Sequence, residues 1–241
     1  MHRIERAIIM AAGKGERMHP LTEKVPKPLI RVRGRRMIET VIEALHANGI
    51  YEIYVVVGYL KEQFEPLKEE FPGVTLIENP YYDTCNNISS LYAARDHLKD
   101  CMILDGDQII YDPKVLAPEF EKSGYNAVWT DEETTEWLMT VEDGVVTGCS
   151  RTGGKRGWQL YSISRWSAED GARLRRHLEN GGVRGEQDQR APGEDRRRES
   201  PSWPLRRRGL FRGGSAPFPR GRAPAHLRLR GPRAAPQERR G

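Results

Sequence analysis

The sequence predicts an α/β domain, built on a mostly parallel sheet with helices on both faces and followed by a long basic segment. Short apolar runs alternate with stretches of helical periodicity, and a glycine-rich loop directly follows the first apolar run. The composition then changes abruptly near residue 180. Because alternating strands and helices build parallel sheets that bind ligands at the carboxyl ends of the strands, we expect one domain over residues 1–179 with its site at that edge.

The elements of this domain follow in chain order from apolar spacing. Buried strands are expected at residues 7–10, 53–57, 74–77 and 101–104, and strands of a second, substrate-side half at 127–130, 137–141 and 158–163. Helices are expected at residues 37–45, 60–70, 88–98, 115–122 and 167–178. Asn48-Gly49 is a typical end for the first helix, while Asn86 or Asn87 and Ser167 are the expected N-caps of the third and the last.

The formal net charge of +5 is misleading, because the positive charge is confined to one segment. Residues 180–241 hold sixteen arginines, no lysine and six acids, so residues 1–179 carry about −5. A mildly acidic domain is not expected to bind a membrane or nucleic acid, and only the basic segment offers an RNA-binding surface. The cysteines form no C-x-x-C pair and no membrane-length apolar run occurs, so a cytoplasmic location is expected.

The most informative stretch is the glycine-rich loop with the P-K-P segment that follows it. Gly13 and Gly15 let backbone N–H groups approach a triphosphate, whose charge Arg17 and Lys27 can neutralise. The loop matches neither the P-loop nor G-x-G-x-x-G, because Met18 stands at the third glycine position. Against the alternative of an ordinary surface loop, we predict Lys27 and Arg17 as catalytic residues. The predicted nucleotide contacts in the loop are Ala11, Ala12, Gly13, Lys14 and Gly15.

Two further groups of polar residues follow predicted strands or open a predicted helix. Asp105-Gly-Asp107 ends a buried strand, where a hard cation such as Mg²⁺ is commonly bound by oxygen ligands. Asp107 is the first candidate ligand and Asp105 the second, with a plain turn as the alternative. Asn87 and Ser90 are predicted to contact the nucleotide, with helix capping as the alternative.

Aromatic residues in the second half of the domain are the predicted acceptor site. Trp137 and Trp158 suit a quaternary ammonium, which aromatic faces recognise and hydrogen bonds cannot. Glu136 would add a counter-charge. The alternatives are aromatic side chains that only pack in strands and an acidic loop that is only solvated.

Residues 7–29 resemble the signature A-G-x-G-x-R…P-x-T…P-K-P-L of the sugar-1-phosphate and related nucleotidylyltransferases. Residues 57–64, 86–92, 105–107 and 135–137 are similar to stretches of bacterial choline-phosphate cytidylyltransferases, and the resemblance covers residues 4–179. It implies a Rossmann-like fold of the nucleotide-diphospho-sugar transferase type, phosphate binding by Arg17 and Lys27, and Mg²⁺ at Asp107. The implied reaction is Mg²⁺-dependent transfer of CMP from CTP to phosphocholine, forming CDP-choline and pyrophosphate. A sugar-1-phosphate nucleotidylyltransferase and a catalytically incomplete nucleotide-binding domain are the alternatives.

Residues 180–241 depart from this resemblance. The family continues with further strands, helices and a Trp-Asp segment that supplies a second metal ligand, and the sequence contains no such segment. From Gly181 onward, forty of the sixty-one residues are Gly, Ala, Arg or Pro, and Ile, Met, Tyr, Thr, Asn, Lys and Cys are absent. So few apolar side chains predict a disordered segment. The bias toward residues with GC-rich codons predicts an out-of-frame product, which leaves the domain without its last elements.

Overall fold

The computed structural model describes residues 1–85 and 87–182. The predicted capping by Asn86, and nearly all of the predicted disordered segment at 180–241, lie outside the described residues. The strands are β1 His2–Arg3, β2 Arg6–Met10, β3 Arg31–Val32, β4 Arg35–Arg36, β5 Glu52–Val57, β6 Val74–Glu78, β7 Cys101–Asp105, β8 Glu119–Phe120, β9 Gly124–Thr130, β10 Leu138–Glu142, β11 Val145–Ser150 and β12 Gly157–Trp166. The α-helices are α1 Met37–Ala47, α2 Leu67–Glu70, α3 Ile88–Ala93 and α4 Ala168–His177.

Eight of these strands form the central sheet of the described chain, in the order β11-β10-β12-β7-β2-β5-β6, with β9 paired along the other side of β12. β2 lies parallel to both β5 and β7, and β5 lies parallel to β6. The predicted parallel arrangement is therefore confirmed for the first half of the domain. The strands of the second half are antiparallel, and β12 joins them to β7.

Both faces of the parallel half are buried, which explains why its strands are continuous apolar runs. Along β2, Ile9 packs on the face covered by α1, while Ile8 packs on the opposite face with Leu174 of α4. Side chains of successive strand residues point to opposite faces, so a strand covered on both sides needs apolar residues at every position. The helices thus lie on both faces, as predicted.

Three predicted helices are wrong over part of their length, and a proline explains two of them. The helix predicted at residues 88–98 ends as α3 at Ala93, and a 3₁₀ turn, Arg95–His97, follows it. Residues 60–70 form a 3₁₀ turn, Lys61–Phe64, followed by the short helix α2, with Pro66 between them. Residues 115–122 form a 3₁₀ turn that ends at Leu116, after which the chain extends into β8. Pro118 forces this change, because it disfavours a helical conformation at Ala117. β11 was not predicted at all.

The predicted helix caps have different outcomes. Ser167 is confirmed, since its hydroxyl accepts a hydrogen bond from the Asp170 backbone N–H at 3.2 Å. Asn87 precedes α3, but its side chain makes no capping hydrogen bond, so capping by this residue is wrong. Helix α1 ends as predicted, with Gly49 at a φ of +74°.

Candidate active site

A cavity of about 650 Å³ opens at the carboxyl ends of β2 and β7. Eleven predicted nucleotide, catalytic and metal residues line it together: Ala11, Ala12, Gly13, Lys14, Gly15, Arg17, Lys27, Asn87, Ser90, Asp105 and Asp107. The cavity is also lined by residues that sequence reasoning missed, among them Glu16, Tyr82, Asp83 and Cys85.

Backbone hydrogen bonds hold the start of the glycine-rich loop against the sheet. The N–H of Ala11 donates to the Val56 carbonyl at 2.9 Å, and the N–H of Gly106 donates to the Met10 carbonyl at 3.0 Å. These bonds join the ends of three neighbouring strands at the cavity. The glycine-rich loop and the Asp105–Asp107 segment therefore meet at one edge, as the carboxyl ends of parallel strands do.

Gly15 is required by the local packing. Its φ is +66°, and an added Cβ would lie 3.0 Å from Thr22 Cγ2 and 3.2 Å from Lys27 Cβ. The buried Thr22 hydroxyl donates to the Gly15 carbonyl at 3.0 Å. Thr22 thus connects the loop to the segment that carries Lys27, and this explains why the two parts of the motif lie side by side.

Lys27 and Asp107 form an ion pair inside the cavity, with Nζ 2.5 Å from Oδ2. Both side chains are about 30% exposed, so the pair is accessible to a ligand. Gly106 lies between the two acids, and a Cβ there would be 3.1 Å from Ile9 Cγ2 and 3.3 Å from Pro28 Cβ. This close packing positions the Asp107 segment against the Lys27 segment.

Asp105 is the more buried of the two acids. Burial raises the pKa of its carboxyl group to about 6, and the negative charge of Asp107 acts in the same direction. A hydrogen bond from Ser162 and the charge of Lys27 oppose that rise in pKa. Ser162 belongs to β12, so this hydrogen bond connects the acids to the second half of the domain.

The opposite side of the cavity is formed by the residues that follow β6. Lys14 forms an ion pair with Asp83 across the cavity, which raises the pKa of Lys14. Tyr82 packs on Gly58 so closely that a Cβ at that glycine would lie 2.6 Å from the tyrosine side chain. The rule that ligands bind where strands end was a signal for Tyr82 and Asp83, because both follow a predicted strand.

Asn79 organises this segment and was also missed. It is almost fully buried, and its Nδ2 donates to Ser89 Oγ at 2.9 Å and to Ser90 Oγ at 3.1 Å. Its Oδ1 accepts a hydrogen bond from the Tyr81 N–H at 2.9 Å. Asn79 thereby ties the segment after β6 to helix α3, and Ser90 has a structural hydrogen bond in addition to its place in the cavity wall.

The predicted acceptor residues Trp137, Glu136 and Trp158 do not line this cavity. The rings of Trp158 and Trp129 make an edge-to-face contact, with centroids 5.4 Å apart. Trp137 is 44% exposed, and its carbonyl accepts a hydrogen bond from the Leu160 N–H at 2.9 Å. Leu160 lies two residues from Ser162, so the backbone of Trp137 meets β12 about 7 Å along the strand from the hydrogen-bond partner of Asp105.

Carboxylate oxygens in the cavity fit a hard cation. Asp107 and Asp105 are oxygen ligands beside the phosphate-binding loop, and Mg²⁺ is usually held by one or two carboxylates together with substrate phosphates. Among the described residues, no group of three or more His, Cys, Asp or Glu side chains is placed to hold a metal without such help. The donor set therefore suits a metal that arrives with a nucleotide.

The fold and the cavity together define a nucleotide-binding transferase of the α/β class. Residues 7–185 match the family model described as the MobA-like NTP transferase domain. The chain belongs to this nucleotidyltransferase family, and its relatives include cytidylyltransferases. The predicted family and fold type are thus confirmed. None of the helices within the described ranges has the length and apolarity needed to cross a bilayer.

Two relatives and two solved structures illustrate the match. The chain is 44% identical over 174 residues to a 2-aminoethylphosphonate cytidylyltransferase of Lancefieldella rimae, covering 71% of each chain. It is 37% identical over 163 residues to a choline-phosphate cytidylyltransferase of Streptococcus pneumoniae, covering 68% of this chain and 70% of that one. The solved CTP:phosphocholine cytidylyltransferase of the same organism superimposes with a TM-score of 0.67 at 35% identity, over 76% of this chain and 79% of the other. A glucose-1-phosphate thymidylyltransferase of Bacillus anthracis, with a TM-score of 0.58 at 15% identity over 74% and 84%, shares the fold.

Proposed function

We propose that this protein transfers CMP from CTP to a small phosphate or phosphonate that carries a cationic amine, releasing pyrophosphate. The observation that carries the proposal is the meeting of the glycine-rich loop, Lys27 and Asp107 in one cavity. An oxygen of the acceptor phosphate attacks the α-phosphorus of CTP, and the bond to pyrophosphate breaks with its electron pair. The reaction needs no covalent nucleophile from the protein, because positioning and charge neutralisation of two anions supply the catalysis.

The two ion pairs in the cavity are the groups that a nucleotide would rearrange. Lys14 is paired with Asp83 and Lys27 with Asp107. Both lysines line the cavity beside the glycine-rich loop, where the phosphates of a nucleotide would bind. A triphosphate competes with those carboxylates for the lysines, since phosphate and carboxylate are both anionic acceptors. Arg17 forms no ion pair with any described residue and offers its guanidinium directly.

We propose Mg²⁺ as the metal, with Asp107 as its first ligand and Asp105 as its second. When bound with the nucleotide, Mg²⁺ neutralises negative charge that develops on the phosphate oxygens. Lys27 lies beside Asp107 and is the protein's own cation for the same task. Release of Asp107 from Lys27 would leave the lysine available to the reacting phosphates.

The acceptor's head group is proposed to lie against the aromatic side chains of the second half. Trp158 and Ser162 lie four residues apart on β12, and the pairing of β12 with β9 shifts register between Tyr161 and Ser164. Met139 is directly opposite Trp158, which places Trp137, two residues before it, toward the same face. Both tryptophans therefore lie on or against the strand that carries Ser162, the hydrogen-bond partner of Asp105. Glu136 is exposed next to Trp137 and adds negative charge near a cation.

Two acceptors fit this chemistry. Phosphocholine is favoured by the exposed tryptophan, because a quaternary ammonium binds to aromatic faces. 2-Aminoethylphosphonate is favoured by the 44% identity to the Lancefieldella rimae enzyme that bears that name. A primary ammonium also donates hydrogen bonds, so it would use Glu136 as well as the aromatic rings.

The experiment is a pyrophosphate-release assay of all four NTPs against phosphocholine, 2-aminoethylphosphonate and glucose 1-phosphate, with and without Mg²⁺. We expect release only with CTP, only with an amine-bearing acceptor and only with the metal. Release with glucose 1-phosphate alone would establish the sugar-1-phosphate alternative. Absence of release under every condition would support a catalytically incomplete nucleotide-binding domain, as expected if the second metal ligand of the family is missing from this chain.

A further inference from the structure

Two arginines cover two tryptophans at the acceptor end of the sheet. The guanidinium carbon of Arg151 lies 5.2 Å from the centroid of Trp137, and that of Arg156 lies 5.4 Å from the centroid of Trp129. Both distances are within the range of a cation–π interaction. Trp137 is the more exposed ring, so its face is the one that a small molecule in solution can reach.

The backbone holds Arg151 in this place. Residues 151–156, here called the basic loop, connect β11 to β12 and pair with residues 131–136, the acidic loop. Thr134 and Gly154 exchange two backbone hydrogen bonds, each 2.9 Å long. Gly153 has a φ of +79°, and a Cβ there would lie 1.9 Å from the Thr134 carbonyl oxygen. Because only glycine permits this approach, the contact between the loops is specific.

The two arginines differ in their partners. Arg156 forms an ion pair with Asp131, with Nε 3.4 Å from Oδ1, and the Trp129 indole N–H donates to the same oxygen at 3.1 Å. Arg151 forms no ion pair with a carboxylate anywhere in the described chain. In the described part of the chain its charge faces the Trp137 ring and also opposes the rise that burial causes in the pKa of the nearby Cys149 thiol, so the guanidinium can leave the ring without breaking a salt bridge to these residues.

We infer that Arg151 is the resident cation of the head-group site and that the acceptor's ammonium group displaces it from Trp137. The inference rests on the proposed function, because it requires a cationic acceptor on this face. One face of an indole ring binds one cation, and two positive charges at that distance repel. The acceptor can bind to the ring only while Arg151 is away from it. Arg151 thus lowers the apparent affinity for the acceptor, and the effect grows with the fraction of time that Arg151 occupies the ring. It determines specificity, since only a head group that outcompetes a guanidinium binds well.

The test compares Arg151→Gln with the matched control Arg156→Gln. Loss of the resident cation should lower the KM for the amine-bearing acceptor by about two- to fivefold, the range of an exposed cation–π contact, with no matching change in the KM for CTP. Arg156→Gln should leave the acceptor KM unchanged, because Trp129 is not the proposed head-group ring. An acceptor KM that rises in Arg151→Gln would show that Arg151 binds the acceptor's phosphate and would overturn the proposal.

A binding measurement separates this inference from the proposed function. Tetramethylammonium can be titrated into the full-length protein while tryptophan fluorescence is recorded, with no turnover required. Arg151→Gln should tighten its binding by about two- to fivefold, and the difference should vanish in a Trp137→Leu background. Equal affinity with and without Arg151, or no binding to either protein, would refute the resident-cation role. A wild-type protein that binds the ion but transfers no CMP would contradict the proposed function alone.

Discussion

Lys27 lies between the glycine-rich loop and the predicted metal ligand Asp107. Its Nζ is 2.5 Å from Asp107 Oδ2, and its Cβ is one of the atoms that exclude any side chain at Gly15. The P-K-P segment forms a 3₁₀ turn in which Pro28 and Leu29 are buried. Lys27 is thus presented to the cavity by a segment anchored in the core.

Lys27→Ala should lower the rate of pyrophosphate release at saturating CTP by at least about 10²-fold, because one preorganised charge in a site of this kind contributes roughly 3 kcal/mol. Lys24→Ala is the matched control. Lys24 is an exposed lysine three residues away that does not line the cavity, so its removal should leave the rate unchanged. Circular dichroism should show both variants folded. Turnover near that of the wild type in Lys27→Ala would remove this residue from the mechanism.

Asp107→Asn should weaken the dependence on Mg²⁺. The amide keeps one oxygen ligand but loses the negative charge that attracts a hard cation. The Mg²⁺ concentration for half-maximal pyrophosphate release is therefore expected to rise by about tenfold, a change typical of altered metal sites. A Mg²⁺ titration at saturating CTP measures it, and superimposable titrations of variant and wild type would contradict the assignment of Asp107.

The raised pKa of Asp105 predicts a pH-dependent stability. Its carboxyl pKa is about 6 in the folded protein and about 3.9 in an unfolded chain. Between these values the native state holds a proton that the unfolded state has released, so stability falls as pH rises through this window. The ionised carboxylate should cost roughly 2 to 3 kcal/mol above it.

Asp105→Asn removes this titration while keeping an oxygen acceptor for Ser162. Urea unfolding of both proteins from pH 4 to 8, in buffer with EDTA, measures the difference in their free energies of unfolding. We expect the asparagine variant to gain stability relative to the wild type as pH rises from 4 to about 7, with a constant difference beyond that. Parallel curves over the whole range would show that the carboxyl group is not perturbed.

Helix α4 is placed by a close approach of backbones. A Cβ at Gly171 would lie 1.9 Å from the carbonyl oxygen of Leu98, which cannot move without displacing the entry to β7. The helix also buries Leu174 in the core on the second face of the sheet. The close approach of α4 to the sheet therefore requires glycine, which has no side chain, at position 171.

Gly171→Ala should destabilise the protein by about 1 to 3 kcal/mol, as overpacking does. The sign of the change in the free energy of unfolding is informative, because alanine in place of glycine inside a helix otherwise stabilises a protein by up to about 1 kcal/mol. Ala172→Gly, at the exposed neighbouring position, reports helix propensity alone and should cost about that amount. Urea unfolding measures both. A more stable Gly171→Ala variant would show that the helix can move away from Leu98 at no cost.

At the scale of the molecule, the core residues of the described chain lie between Ile4 and Leu178. One cluster packs between the sheet and α1, and the other packs between the sheet and helices α3 and α4. Within the described ranges, the strands of the central sheet all end at or before Trp166. Both clusters, as far as the structure describes them, are built from residues 4–178.

Because the composition of residues 183–241 predicts a disordered segment, a chain ending at Gly182 should unfold in one cooperative transition with a Tm within about 4 °C of the full-length value, which corresponds to less than roughly 1 to 2 kcal/mol for a domain of this size. Thermal denaturation followed by circular dichroism compares the two proteins. A loss of more than 10 °C would show that residues 183–241 stabilise the domain. Restoring a segment with the family's Trp-Asp pair is the further comparison for activity, because the sequence predicts that the second metal ligand is missing.

Much of the fold could be predicted because strands and helices alternate regularly in its first half. β2, β5, β6 and β7 are short apolar runs that parallel, doubly covered strands require, and Asn48-Gly49 marks the end of α1. Two of the shortened helices were also predictable, since Pro66 and Pro118 are visible in the sequence. β11 was missed because its side chains are half exposed and it contains Gly148, so its pattern is weak.

The sequence by itself determined the phosphate-binding loop, the P-K-P segment and the D-G-D turn, because each depends on the conformation of a few consecutive residues. Only the tertiary structure decided which distant residues join them. Asp83 reaches Lys14 because Tyr82 packs on Gly58, and Arg151 reaches Trp137 because the basic and acidic loops pair through Thr134 and Gly154. Such contacts depend on the register of strands far apart in the chain, which local periodicity does not specify.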